Sequence, residues 1–375
     1  MNARVSCPFC MSDAGLGTAA HQTARRGWYR RKHDGRRIQR FSCKRCGKTF
    51  SSLTGSPTWR QHKPSINQQL IFLLCSGISQ RRAARHLQVD QKTIARRLAF
   101  LGEHARIANS HHLSRRGPVF DARFDDMESA IHTKLKPVSI PMVVEEKTRE
   151  IIAVRVCTMP AKGHLAAKSR KKYGPRLDDR PHARREVLEA LAQVGNPKLT
   201  IKSDKCPQYP SLIHNTLPGA LHTRVKGRRG CVAGQGELKR IGFDPLFSFN
   251  HTAASVRANV NRLFRKTWCI SKRMDRLQDH LDLYAWFHNQ YLLRNPATKK
   301  RPGRMPRLIV QSRKCTSNGG SLKVIRPHHP DHHPKHPHLT PHPLPHPRHQ
   351  GASPDANGSS GSELRTRYLR SWRQN

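Results

Sequence analysis

The spacing of apolar residues changes along the chain, and each change marks a different kind of element. Between residues 64 and 106 apolar positions recur every three to four residues, the period of helices buried along one face. Leu70, Phe72, Leu73 and Leu74 make a first helix that stops at Gly77. Ser79 opens a second, with Ala84 and Leu87 inward. After a turn at Gln88 and Val89, Asp90 opens a third carrying Ile94, Leu98 and Leu101. Ser and Asp suit such starts because their side-chain oxygens accept from amides that the first turn leaves unpaired.

From Val119 the period falls to two. Val119-Phe120-Asp121-Ala122-Arg123-Phe124-Asp125 alternates and ends on a carboxylate, which predicts a strand. Two further strands follow at 138–144 and 151–157, separated by a turn over 145–149. A helix over 183–194 then leads to a buried strand at 199–204 that also ends on an acid, Asp204. Three strands, a helix and a further strand is the order of the ribonuclease H-like fold. There the first and fourth strands are neighbours, so Asp125 and Asp204 should meet. Two carboxylates held on rigid strands suit hard divalent cations, which activate the attacking oxygen and stabilise the leaving one when a phosphodiester is cut. Each Asp taken singly could equally start a turn or cap a helix.

The first 58 residues lack either period and carry two tight cysteine pairs, Cys7-Pro8-Phe9-Cys10 and Cys43-Lys44-Arg45-Cys46-Gly47. Each pair can grip one side of a tetrahedral Zn²⁺, and together they make a closed, structural four-sulfur shell. The 32 residues between the pairs exceed the usual interval of a zinc ribbon and require an inserted loop or hairpin. Phe41 and Phe50 flank the second pair in strand-like context.

Charge then narrows the partner. The chain has 375 residues, with 70 Lys and Arg against 24 Asp and Glu, a formal charge of +46. Such a surplus predicts a polyanion, since each neutralised phosphate releases condensed counterions. No apolar run reaches the roughly 20 residues of a spanning helix and no export signal is evident, so a cytoplasmic, nucleoid-associated protein is expected. In the three-helix segment, Lys92, Thr93, Arg96 and Arg97 are expected to point into a major groove, as in a helix-turn-helix. A plain helical bundle with a solvated basic face is the alternative. Lys162, Lys168, Arg170, Lys171 and Lys172, and then Lys226, Arg228 and Arg229, form basic insertions suited to following phosphates. From Pro296 the chain turns basic, then His- and Pro-rich over 328–349, a composition that predicts a disordered tail.

The expected whole is therefore an α/β multidomain chain. It comprises a zinc ribbon over 1–58, a helix-turn-helix over 64–106, a ribonuclease H-like mixed-sheet core over 119–295 and a tail over 296–375. Phe124-Asp125-Asp126-Met127-Glu128, Ser203-Asp204 with Tyr209 close behind, the block Asn259 to Thr267, and Ser271-Lys272 resemble transposases of the insertion sequence 1 type. The resemblance covers roughly residues 5–290. It implies double-stranded DNA as partner, a homo-oligomer, hydrolysis at element ends with Mg²⁺ or Mn²⁺, and attack of the freed 3′-OH on target DNA. Asp125 and Asp204 carry over onto the first two acids, and Arg265, Lys266 and Lys272 are expected to position DNA near the metals. The third acid departs from the pattern, because Ser248 stands at its place. Asp244 is the favoured substitute and Glu237 the second, with loss of the ligand the remaining option. A catalytically degenerate transposase that only binds DNA is the alternative function. An RNA-binding factor would want aromatic platforms, yet aromatics make up only 6%. The segment His182-Ala183-Arg184-Arg185 lacks the partner Tyr of a tyrosine recombinase.

Overall fold

Strand β4 (Val119–Ile131) is the axis on which the fold is built. It pairs antiparallel with β5 (Thr133–Glu145) along its length and parallel with β8 (Gly195–Ser203) over its first half. Strands β6 (Ile151–Val154) and β7 (Cys157–Thr158) both pair with β5, and β9 (Leu221–Arg224) pairs parallel with β8. The sheet order is β6-β5-β4-β8-β9, a mixed sheet in a mixed α/β chain. The structure is a computed structural model that describes residues 7–9, 23–32, 34–54, 56, 58–59, 61–226, 244–264, 267–295 and 303–308. All of these fall in the compact unit 1–321.

Parallel neighbours need crossovers. Helix α4 (Leu165–Tyr173) and helix α5 (Arg180–Ala192) lie between β7 and β8, and α6 (Tyr209–Thr216) lies between β8 and β9. Val119, Ala122, Phe124, Leu199 and Ile201 bury one sheet face against Val187, Leu188 and Leu191 of α5 and Ile213 of α6. Met127, Ile140, Met142 and Val144 bury the other against α7 (Phe247–Asn259) and α8 (Met274–Phe287).

Helix α1 (Ile66–Leu74) comes first, and α2 (Gln80–His86) and α3 (Gln91–Leu113) start at the expected caps. Ser79 accepts from Arg82 N at 3.3 Å and Asp90 from Lys92 N at 2.6 Å, with Gln88 in the left-handed region at the turn. Leu70, Ala83, Ile94 and Leu98 belong to the same apolar cluster as Met142 and Tyr284, so these helices share the core of the sheet. Gly77 fastens the end of α1 to the end of α7: its N–H donates to Asn259 O at 2.7 Å, and Asn261 Nδ2 donates to its carbonyl at 3.3 Å. Its φ of +77° and the 3.1 Å that an added Cβ would leave to Ala258 O explain the glycine.

Three expectations change. Strand β4 runs on to Ile131, because β5 pairs with it from Ala122 to Ile131, so Asp125 is mid-strand and not at a tip. The expected third strand splits into β6 and β7. Helix α3 continues to Leu113, past residue 106 where the three-helix segment is expected to end. Its second half is clamped by Arg106 to Asp282 (2.8 Å) and by His112 to Glu150, and just past its end Arg116 pairs with Glu145 (2.6 Å) and Glu150 (2.9 Å). Among the described residues no helix is long and apolar enough to cross a membrane. The tail beyond Pro296 lies outside the described residues, apart from 303–308.

Helices α3 and α8 cross at Gly102, where an added Cβ would lie 2.5 Å from Asp279 O. Gly102→Ala should therefore force the helices apart and destabilise the protein by about 1–3 kcal/mol, read as a lower urea midpoint. An unchanged midpoint would place this crossing elsewhere.

Candidate active site and metal centre

Three strands form an antiparallel sheet beside the N-terminal cysteines: β1 (Thr23–Arg30), β2 (Arg37–Cys43) and β3 (Thr49–Ser51). Residues 23–43 form the hairpin that the long interval between cysteine pairs requires. Cys43 ends β2, and Gly47, with φ +69°, returns its N–H to Cys43 O at 2.9 Å. Phe41 and Phe50 stack at 5.5 Å beneath, with Phe9 against them. The sulfurs of Cys7, Cys43 and Cys46 lie within 4.8 Å of one another, and Cys7 Sγ is 3.8 Å from Cys46 Sγ. A tetrahedral zinc with bonds of 2.3 Å sets its sulfurs about 3.8 Å apart, so this cluster fits such an ion. Cys10, the expected fourth ligand, lies outside the described residues.

The second constellation is acidic. Phe124 pairs with Ser203 in the parallel β4–β8 ladder, so Asp125 and Asp204, one residue further on, leave the two strands side by side on one face. Both are half-buried. Asp125 Oδ1 accepts from Asp126 N at 2.7 Å and from the Tyr209 hydroxyl at 3.2 Å, while Asp204 Oδ1 accepts from Cys206 N at 2.9 Å. Burial, then the charge of Asp204, pushes the Asp125 carboxyl up to about 7.

Behind the pair stands a buried polar network that sequence reasoning did not assign. Arg184 of α5 donates to Asp126 Oδ2 from Nε at 3.0 Å and from a terminal nitrogen at 2.7 Å, and reaches Gln208 Oε1 at 2.6 Å. Ser139 Oγ donates to the same Asp126 oxygen at 2.7 Å. The Arg184 guanidinium lies 4.9 Å from the centre of the Tyr209 ring, which packs on Phe124 at 4.8 Å. Burial opposes the charge on Arg184, but Asp126 outweighs it and the pKa rises. Burial first, then the charges of Asp126 and Asp125, pushes the Tyr209 phenol up, so it stays a donor to Asp125. One signal was legible: Arg184 shares the face of Leu188 and Leu191, and an arginine on the apolar face of a helix needs a buried acid.

The third acid does not gather. Asp244 precedes α7, where its Oδ1 accepts from Leu246 N at 3.0 Å and its Oδ2 from Asn250 Nδ2 at 2.7 Å. It serves the helix start. Ser248 is buried and donates to Glu146, which also pairs with Arg123 at 2.8 Å. Among the described residues the cysteine cluster is the one set of three or more His, Cys, Asp or Glu ligands lying within 4.8 Å of one another, so Asp244 does not join Asp125 and Asp204. Glu237 lies outside the described residues.

The basic residues divide. Lys92 and Arg96 are exposed on α3 and Thr93 is half-buried. Arg97 corrects the expectation: it is buried and donates to His62 O at 2.5 Å. Position 97 is three after Ile94 and four before Leu101, which puts it on the inner face. Lys171 and Lys172 are exposed in the last turn of α4, and Lys272 is exposed before α8. Arg228, Arg229, Arg265 and Lys266 lie outside the described residues. Compared with models of known families and with curated proteins, the chain finds no match.

Two tests follow from this geometry. Cys43→Ser should release bound zinc, measured by elemental analysis of purified protein; retained zinc would refute the cluster as a binding site. For Asp125, the unfolded chain loses its proton near pH 3.9 while the folded chain keeps it to about pH 7. The metal-free protein should therefore lose stability as pH rises through that window. Asp125→Asn should raise the melting temperature relative to wild type at pH 8 but not at pH 4, and an equal difference at both values would contradict the buried repulsion.

Proposed function

We propose that this chain is a DNA transposase of the insertion-sequence type, cutting and joining DNA strands at element ends with Mg²⁺ or Mn²⁺. One observation carries the reading: Asp125 and Asp204 leave neighbouring parallel strands together, half-buried and repelling each other. That is the donor set a hard cation needs, and a cation relieves the repulsion. The sheet order β6-β5-β4-β8-β9, with its crossover helices, supports a ribonuclease H-like core. The hairpin and cysteine cluster support a zinc ribbon, and α1 to α3 support a helix-turn-helix with Lys92 and Arg96 toward DNA.

In this reading Asp125 and Asp204 hold the ions, which supply charge stabilisation to the scissile phosphate. The Tyr209 hydroxyl holds Asp125 by one oxygen and leaves the other free to bind. Arg184, bonded to Asp126 and stacked on Tyr209, keeps that hydroxyl in place. Exposed Lys171, Lys172 and Lys272 offer contacts to the DNA backbone. Helix α3 joins a groove-reading end to an end locked into the core, so bound DNA is held at a fixed distance from the carboxylates.

A second reading has its own observation. No third carboxylate gathers with the pair among the described residues, and Ser248 turns to Glu146. That arrangement suits a degenerate transposase that binds element ends without cutting.

The deciding experiment incubates purified protein with supercoiled plasmid carrying the DNA that flanks its gene, with and without Mg²⁺. The transposase reading expects metal-dependent nicks ending in 3′-OH, abolished by Asp125→Asn with DNA affinity retained. Binding without nicks favours the degenerate form, and loss of binding in the variant makes Asp125 structural. Arg96→Ala should relax sequence preference by about 1–3 kcal/mol at one base pair, measured by competition binding; preserved preference would remove Arg96 from the groove.

A further inference from the structure

We propose that the β1–β2 hairpin is a DNA-gripping arm that lies along a groove of the duplex. The proposal rests on duplex DNA being the partner, and it adds a contact surface separate from α3 and from the carboxylates.

The cysteine cluster uses Cys7, Cys43 and Cys46, so the exposed side chains that the β1–β2 hairpin carries before Cys43 take no part in holding a metal. The hairpin's composition is one-sided. From Thr23 to Ser51 there are eleven Lys and Arg and one acid, Asp34. That acid is occupied at the tip by Arg31, with Arg36 at 3.6 Å. Arg26, Arg30, Arg37 and Arg40 are exposed, and none has an acidic partner among the described residues. Such a density of unpaired cations repels itself and is stabilised by a polyanion.

The aromatic residues on the arm point the same way. Trp28 and Tyr29 remain 51% and 40% exposed, so they are not core residues. Arg37 stacks on Trp28, with its Cζ 3.5 Å from the ring centroid. Stacking fixes the guanidinium plane and leaves its N–H edges facing outward, which pre-organises it for phosphate. The cross-strand pair Arg30 and Arg37 lies on the same face as Trp28, whose partner is Gln39. Cations thus line the arm on both strands, as the two phosphate walls of a groove require.

Shape agrees. Two strands about 4.8 Å apart, with their side chains, match a major groove about 12 Å wide. Eight residues of strand reach about 27 Å, most of one duplex turn. The ladder shifts register between Arg25 and Trp28, where Gly27 has φ +70°. A bulge of this kind increases the twist of a ribbon, which helps it follow a helical groove. A membrane surface is a poorer fit, since the exposed large apolar side chains of the arm are Trp28 and Tyr29 alone among the described residues.

The test measures binding of full-length protein to a fluorescein-labelled 30-base-pair duplex of arbitrary sequence, without divalent metal, across a KCl series. Arg30→Ala with Arg37→Ala should bind more weakly and flatten the slope of log affinity against log salt by about 1.8, the loss of two phosphate contacts. Arg30→Lys with Arg37→Lys should keep most of the slope, which separates lost charge from a lost fold. An Ala variant with wild-type affinity and slope overturns the arm while leaving the transposase reading intact. Tighter binding to single-stranded RNA of equal length than to the duplex also overturns it. If wild-type protein does not hold the duplex at all, the proposed function itself falls.

Discussion

Strands β4 and β8 run parallel with Phe124 opposite Ser203, and this register brings two negative charges together. A fold does not gain stability from such a pair. Burial and mutual repulsion hold Asp125 near neutrality, a cost that an apolar residue in its place would avoid. The surrounding structure is arranged around that cost. Phe124 and Tyr209 pack beneath the pair, and Tyr209 donates to Asp125. Arg184 and Asp126 neutralise each other one layer further in. A carboxyl raised to about 7 and held by a buried network is more typical of a functional site than of a packing solution.

Helix α3 transmits the second constraint. Its first turns carry exposed Lys92 and Arg96, its later turns pair with Asp282 and Glu150 through Arg106 and His112, and Arg116 just beyond it reaches Glu145. One continuous helix of 23 residues spans about 34 Å, so surface and core are joined without a hinge. Gly77 and Asn259 tie the same helical group to α7 from the other side. The asparagines of the 259–267 block thus act in part as mortar between elements.

The fold was readable where local pattern decides it. Period-two alternation gave β4 its identity, Ser79 and Asp90 marked their helix starts, and the order of strands placed Asp125 beside Asp204. What was not readable depends on partners distant in sequence. Strand β4 extends past Asp125 because β5 pairs with it, and α3 extends past residue 106 where α8 offers Asp282, whose carboxylate takes Arg106 and whose carbonyl takes Asn109. Arg97 looked like a groove contact by charge, although its helical position already put it inside. Asp244 looked like a ligand by proximity to the missing acid, but Leu246 N and Asn250 take its oxygens. Arg184 escaped notice because its charge sits among other basic residues, although its helical position already put it on the face of Leu188 and Leu191.

The central claim is that Asp125 and Asp204 form one cation site. Manganese titration followed by electron paramagnetic resonance tests it without any DNA substrate. The account predicts a bound Mn²⁺ signal in wild-type protein that is lost in both Asp125→Asn and Asp204→Asn. Binding of equal affinity in all three proteins would contradict it.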